Sequence, residues 1–188
     1  MNVPSDMSPD GLVGLLTVEN SNSTITLSDK DLPPRRVRHN KPLYLPVVTM
    51  GKNMPMTFVD NGSAINVCPL RTAKKIGIDL DNLVKSSQGV KAYDNTRRQS
   101  MGTSTLKVIT GLIEKEVVFH VLDINTSFNL LLGRPWLHEL KAVPSSLHQK
   151  VKLVIAGNPF TLEATPLSLY INTIQIEHDE TDEDCNPP

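Results

Sequence analysis

From Pro42 to about Leu167 the chain alternates short apolar runs with turn residues, at strand length rather than helix length. "LYLPVVTM" (43–50) reads as a first strand, "GKNM" (51–54) as a turn, and "PMTFVD" (55–60) as a second strand ending at Asp60. "AINVCPL" (64–70) resumes an extended, β-branched path. "PLRTAKKIG" (69–77) reads as a short helix, because Pro69 suits a first helical position and Gly77 the residue just past the end. "NLVKSSQGVKAY" (82–93) returns to strand, and "DNT" (94–96) is a hairpin tip whose Asp and Asn tolerate left-handed backbone. "MGTSTLKVIT" (101–110) leads away from that tip. In "EKEVVFHVLD" (114–123), Val117, Phe119 and Val121 share one side of a strand. "FNLLLG" (128–133) is apolar throughout, as a strand buried on both faces requires. "RPWLHEL" (134–140) suits a second short helix, and "KVKLVIAGNPFTL" (150–162) a last hairpin. Many short strands at regular spacing predict an all-β fold, a small closed barrel with one or two short helices.

The flanks read differently. Residues 1–41 are rich in Ser, Asn, Pro and Asp without a sustained period, as in a flexible linker, and 168–188 form an acidic tail, leaving 42–167 as the folded domain. The whole chain of 188 residues is 39% hydrophobic and 21% charged, with net charge −1. That is enough apolar material for a modest core and gives no reason to expect nucleic acid as a partner. The basic cluster Arg35, Arg36, Arg38, His39 and Lys41 reads as solvated linker. The N-terminus lacks the basic start and apolar core of a secretory signal, and no apolar run reaches the ~20 residues a membrane span needs. The two cysteines, Cys68 and Cys185, form no C-x-x-C, so a disulfide framework is not expected and a reducing, cytoplasmic setting is.

Most familiar chemistries are absent from the pattern. His138-Glu139 opens like a zinc-protease helix, but Ala142 stands where the second His is needed. The five His show no ligand spacing, and there is no phosphate loop or G-x-S-x-G. No metal or cofactor is expected. What stands out is Asp60, a lone carboxylate at a strand end before Asn61-Gly62-Ser63. Such a corner is often only a turn. It is also a way to present a carboxylate in a groove: Gly62 lets backbone approach a ligand, and Ser63 and Ala64 are small enough to leave room for one.

The segment "MTFVDNGSAINVCPL" (56–70) resembles the active-site stretch of retroviral-type aspartic proteases, the retropepsins. "NLLLGRPWL" (129–137) is similar to that family's second signature, and "VKAYDNTRRQSMG" (90–102) lies where its flap hairpin belongs. The resemblance spans about Leu43 to Leu162 and is nearest to the protease region of plant Ty3/gypsy-type retrotransposon Gag-Pol polyproteins. It implies a homodimer, since this chain has one candidate Asp and the chemistry needs two facing each other. It implies Asp60 as the catalytic residue, with the pair sharing a proton across the two-fold axis. Gly62, Ala64, Ala92, Tyr93 and Asp94 are then expected to contact an extended polypeptide, a Gag-Pol polyprotein, in a retroelement particle. Asn61, Ser63, Leu132 and Gly133 are expected to support the site. The sequence departs from the family at Asn61, where Ser or Thr is usual. A carboxamide has a donor and an acceptor and can still link the two loops, but it is larger. The alternative is a catalytically inactive retropepsin-like module that dimerises or binds peptides. Smaller expectations are Trp136 as a core anchor, Cys68 as a buried apolar residue, and Arg134 in a structural ion pair.

Overall fold

A computed structural model describes residues 24–33, 41–86, 89–91 and 97–165, with the side chains of 89–91 and 97–99 left aside. Six strands close a barrel: β1 (Tyr44–Thr49), β2 (Lys52–Val59), β3 (Val67–Pro69), β6 (Gly102–Thr110), β7 (Ile113–Leu122) and β8 (Leu130–Leu132). Around the barrel the order is β1-β2-β8-β3-β7-β6, and Val48 opposite Ile109 closes the ring. β4 (Gly89–Lys91) and β5 (Arg97–Gln99) form a separate two-stranded ribbon. β9 (Val143–Ser145), β10 (Lys150–Ile155) and β11 (Asn158–Glu163) form a small antiparallel sheet.

Most of the expected strands are present with shifted ends, and two stretches, 64–70 and 82–93, are largely not strand among the described residues. β2 begins at Lys52, because Met50 and Gly51 (φ 51° and 71°) make the whole turn in two residues rather than four. The stretch 64–70 is mostly loop, with only Val67–Pro69 paired. Pro69 therefore caps helix α1 (Leu70–Ile76) rather than starting it. Gly77 ends that helix at φ 86°, a left-handed cap that a side chain would strain. The stretch 82–93 is not one strand: Val84 makes an isolated bridge to Thr103 before β4. β9 escaped the sequence because "VPS" is too short and polar to show a period.

One irregularity aims β2. Pairing with β1 slips between Leu45 and Val47, and Met56 takes φ 57°, so β2 carries an extra residue and bends. Asn129 satisfies the carbonyls this frees: its N–H donates to Met56 O (3.1 Å) and its Nδ2 to Pro55 O (2.6 Å). Beyond the bulge β2 runs parallel to β8, from Thr57 opposite Leu130 to Val59 opposite Leu132.

Alternation along the strands sorts two apolar clusters. Inward residues such as Leu45, Val108, Phe119, Val121, Leu130 and Leu132 form the barrel core, joined by Trp136 of helix α2 (Arg134–Glu139). Trp136 is 1% exposed and Cys68 0%. The alternate positions Val67, Leu122 and Leu131 form a second cluster on the opposite face, with Phe58, Ile65, Ile124 and Phe128 half-buried around it.

Candidate active site

β2 ends at Val59, and the chain turns through Asp60–Asn66 before β3 begins. The neighbouring strand β8 ends level with it and turns through Gly133 into α2. Where these two turns meet, three successive residues of one hold three spaced residues of the other. Asp60 N–H donates to Leu132 O at 3.0 Å, Arg134 N–H donates to Ser63 O at 2.9 Å, and Gly133 N–H donates to the side-chain Oδ1 of Asn66 at 2.8 Å. The approach is so close that only glycine fits at 133. A Cβ there would fall onto the Ile65 carbonyl oxygen and within 2.9 Å of the Ser63 carbonyl oxygen.

Within the loop, the Asp60 carboxylate accepts the Gly62 N–H on Oδ1 at 2.8 Å, a charge-assisted bond that fixes its orientation. Asp60 is half-buried, whereas Asn61, Gly62 and Ala64 are exposed. Ser63 turns inward, donating its hydroxyl to Ile65 O at 2.8 Å. A Cβ on Gly62 would lie 3.1 Å from Asp60 Oδ1, tight against the carboxylate. Asp60 and Asn61 open onto a cleft of about 350 Å3 whose walls include Phe58, Leu43, Lys41 and Pro144. A larger groove of about 630 Å3, between Leu112 and Ile155, shares no lining residue with it. The second apolar cluster begins beside the carboxylate. Phe58 lies two residues before Asp60, stacked on Phe128 with ring centroids 6.2 Å apart, and Ile65 lies in the same loop.

The structure thus brings together Asp60, Asn61, Gly62, Ser63, Ala64, Leu132 and Gly133. Leu132 contributes through its carbonyl, because its side chain is buried in the barrel core. Ala92, Tyr93 and Asp94 lie outside the described residues. The ion pair expected of Arg134 is replaced by hydrogen bonds: its Nε donates to Ser63 O at 3.4 Å, and among the described residues it meets no carboxylate. Among the described residues no three of His, Cys, Asp and Glu converge as a metal site.

Sequence reasoning passed over Asn66. It is 3% exposed, and besides holding Gly133 it donates Nδ2 to Val118 O at 3.1 Å and accepts the His120 N–H at 2.9 Å. Its signal was a single carboxamide inside an apolar run. Neighbouring His120 is 8% exposed, and burial pushes its imidazole below the ordinary value.

No protein-family model matches the chain, and no curated protein matches it by sequence. Solved structures do. The chain is similar to the retroviral protease-like domain of Ddi1 from Leishmania major, with TM-score 0.51 and 20% identity over 66% of this chain and 94% of that one. It is also similar to a retropepsin-like aspartic protease from Rickettsia conorii (TM-score 0.43, 22% identity, 55% of this chain and 76% of that one). A further match is the EIAV protease complexed with the inhibitor HBY-793 (TM-score 0.46, 13% identity, 60% of this chain and 98% of that one). The Ddi1 likeness shows the fold: a closed, mostly β barrel of the retropepsin type.

Proposed function

We propose that this chain is one protomer of an aspartic endopeptidase, in which Asp60 of two copies forms a dyad. The carrying observation is the clamp between the 60–66 turn and Leu132–Arg134, which fixes one oriented carboxylate at the mouth of a cleft beside an apolar wall. A fixed carboxylate can move protons to and from a bound water and a carbonyl without a cofactor. One carboxylate cannot do both at once, so the site is complete only when a second copy supplies its own Asp60 across a two-fold axis. Charges that close share a proton, and the dyad titrates as a unit. The ionised member takes a proton from water, and the oxygen attacks the peptide carbonyl carbon. The protonated member gives its proton to the carbonyl oxygen. The carboxyl that took the water proton then gives it to the amide nitrogen, while the other carboxylate takes a proton from a hydroxyl of the tetrahedral intermediate; the C–N bond breaks, acid and amine form, and the dyad again holds one proton.

The substrate class follows from the surroundings. An extended polypeptide can lie across the cleft, its side chains against Leu43, Phe58 and Pro144. On the sequence resemblance, the polypeptide is a retroelement Gag-Pol polyprotein. Asn61 favours a second reading, an inactive peptide-binding or dimerising module. It stands exposed where the resemblance expects Ser or Thr, and its side chain makes no hydrogen bond among the described residues.

The test is incubation with a peptide mixture from about pH 4 to 7, with an Asp60→Asn chain in parallel. Cleavage by the native chain alone supports the endopeptidase. Peptide binding without cleavage, by a folded dimer, selects the inactive module.

A further inference from the structure

We propose that Asn66 is a positioning residue for Asp60, a side chain through which strand β7 sets the catalytic turn; this rests on the endopeptidase reading. The clamp has three bonds, and two are backbone to backbone: Asp60 N–H to Leu132 O and Arg134 N–H to Ser63 O. Such bonds survive any substitution that keeps the backbone in place. The middle bond, Gly133 N–H to Asn66 Oδ1 at 2.8 Å, depends on a side chain. Among the described residues, Asn66 is also the clamp member whose side chain is tied to a third element. Its Nδ2 reaches Val118 O at 3.1 Å and its carbonyl accepts the His120 N–H at 2.9 Å, both on β7.

Asn66 therefore spends its carboxamide on two elements at once, oxygen toward the β8–α2 turn and nitrogen toward β7. An aliphatic side chain of equal size would fill the space but leave Gly133 N–H unpaired in a buried place and remove the part-buried bond to Val118 O. The turn would regain those bonds only by shifting. The shift would pass to Asp60 through Leu132, since Leu132 adjoins Gly133 and holds Asp60 N–H. A displacement of about 1 Å at a catalytic group costs up to ~100-fold in rate. Asn66 does not line the cleft, and its carboxamide faces Gly133 and Val118, so such a loss falls on turnover rather than on peptide binding.

The experiment compares Asn66→Leu with Asn66→Asp in the full chain. Asp keeps an acceptor for Gly133 N–H; buried beside the Val118 carbonyl, its carboxyl is favoured in the protonated form, whose O–H can stand in for the lost amide donor. Positioning predicts that Asn66→Leu lowers kcat by about 10- to 100-fold with KM within about 2-fold, and that Asn66→Asp recovers part of kcat. It also predicts that the Gly133 and Asp60 amides exchange hydrogen at least ~10-fold faster in Asn66→Leu than in the parent. A folded, dimeric Asn66→Leu with parental kcat, or with unchanged exchange at both amides, overturns the inference. So does a loss confined to melting temperature. If the native chain cleaves nothing, the endopeptidase reading fails separately, and amide exchange alone decides whether Asn66 sets the Asp60 turn.

Discussion

The Gly133→Ala change is the sharpest test of how the site is built. The added methyl has no room, since it meets two backbone carbonyl oxygens, those of Ile65 and Ser63, rather than a side chain that could rotate away. The two turns must separate, and the bonds from Gly133 to Asn66 and from Arg134 to Ser63 lengthen or break. Overpacking a tight interior costs about 1–3 kcal/mol. Each hydrogen bond lost adds about 1 kcal/mol. Together these give about 3–5 kcal/mol, a large part of the 5–15 kcal/mol typical of a domain. With a urea slope of about 1–3 kcal/mol/M, the denaturation midpoint should fall by roughly 2 M. The control is Gly157→Ala, at a turn where φ is 80° but nothing lies within 4 Å of the new methyl. Only backbone strain applies there, of order 1 kcal/mol. Urea titrations followed by Trp136 fluorescence read both variants. A Gly133→Ala midpoint equal to that of Gly157→Ala would refute the close crossing of the two turns.

Other consequences are simpler. Burial pushes the Cys68 thiol up to about 12, so in a Cys185→Ser chain the remaining thiol should resist a disulfide reagent at about pH 8 until denaturant is added; labelling in native buffer would contradict its burial. The Lys152 ammonium bonded to Asp31, with the Ser28 N–H, holds that carboxyl down to about 2. A depressed folded-state value stabilises above the ordinary carboxylate range and is lost as pH falls toward about 2. The stability gap between the native chain and Asp31→Asn should therefore close over that interval, and a constant gap would show that the Asp31–Lys152 contact does not form. Trp136→Ala should cost about 3–5 kcal/mol. Trp136→Phe should cost under about 1.5 kcal/mol, because among the described residues the indole N–H has no partner to lose. Equal losses in the two Trp136 variants would remove its role as a core anchor.

The legible part of the sequence was what local chemistry decides. β8 showed itself as an apolar run because both its faces are covered, by Leu130 and Leu132 inward and Leu131 outward. Helix α1 was visible from Pro69 and Gly77, one position off because Pro69 still belongs to β3. Asp60 and Gly133 were visible as motif residues, but not the contact between them, which joins turns some seventy residues apart in sequence. Asn66 was invisible for the same reason: its partners Gly133, Val118 and His120 are set by topology, not by neighbours in the chain. The bulge at Met56 was hidden because its freed carbonyls are satisfied by the distant Asn129.

The central claim, that two copies of Asp60 make one site, is tested most directly by mixing. Equal amounts of native chain and Asp60→Asn chain are unfolded together, refolded, and assayed for peptide cleavage against the same total protein of native chain. Random pairing with inactive mixed dimers leaves about one quarter of the native activity. Retention of about one half would mean that each chain works alone, and the dyad would be wrong.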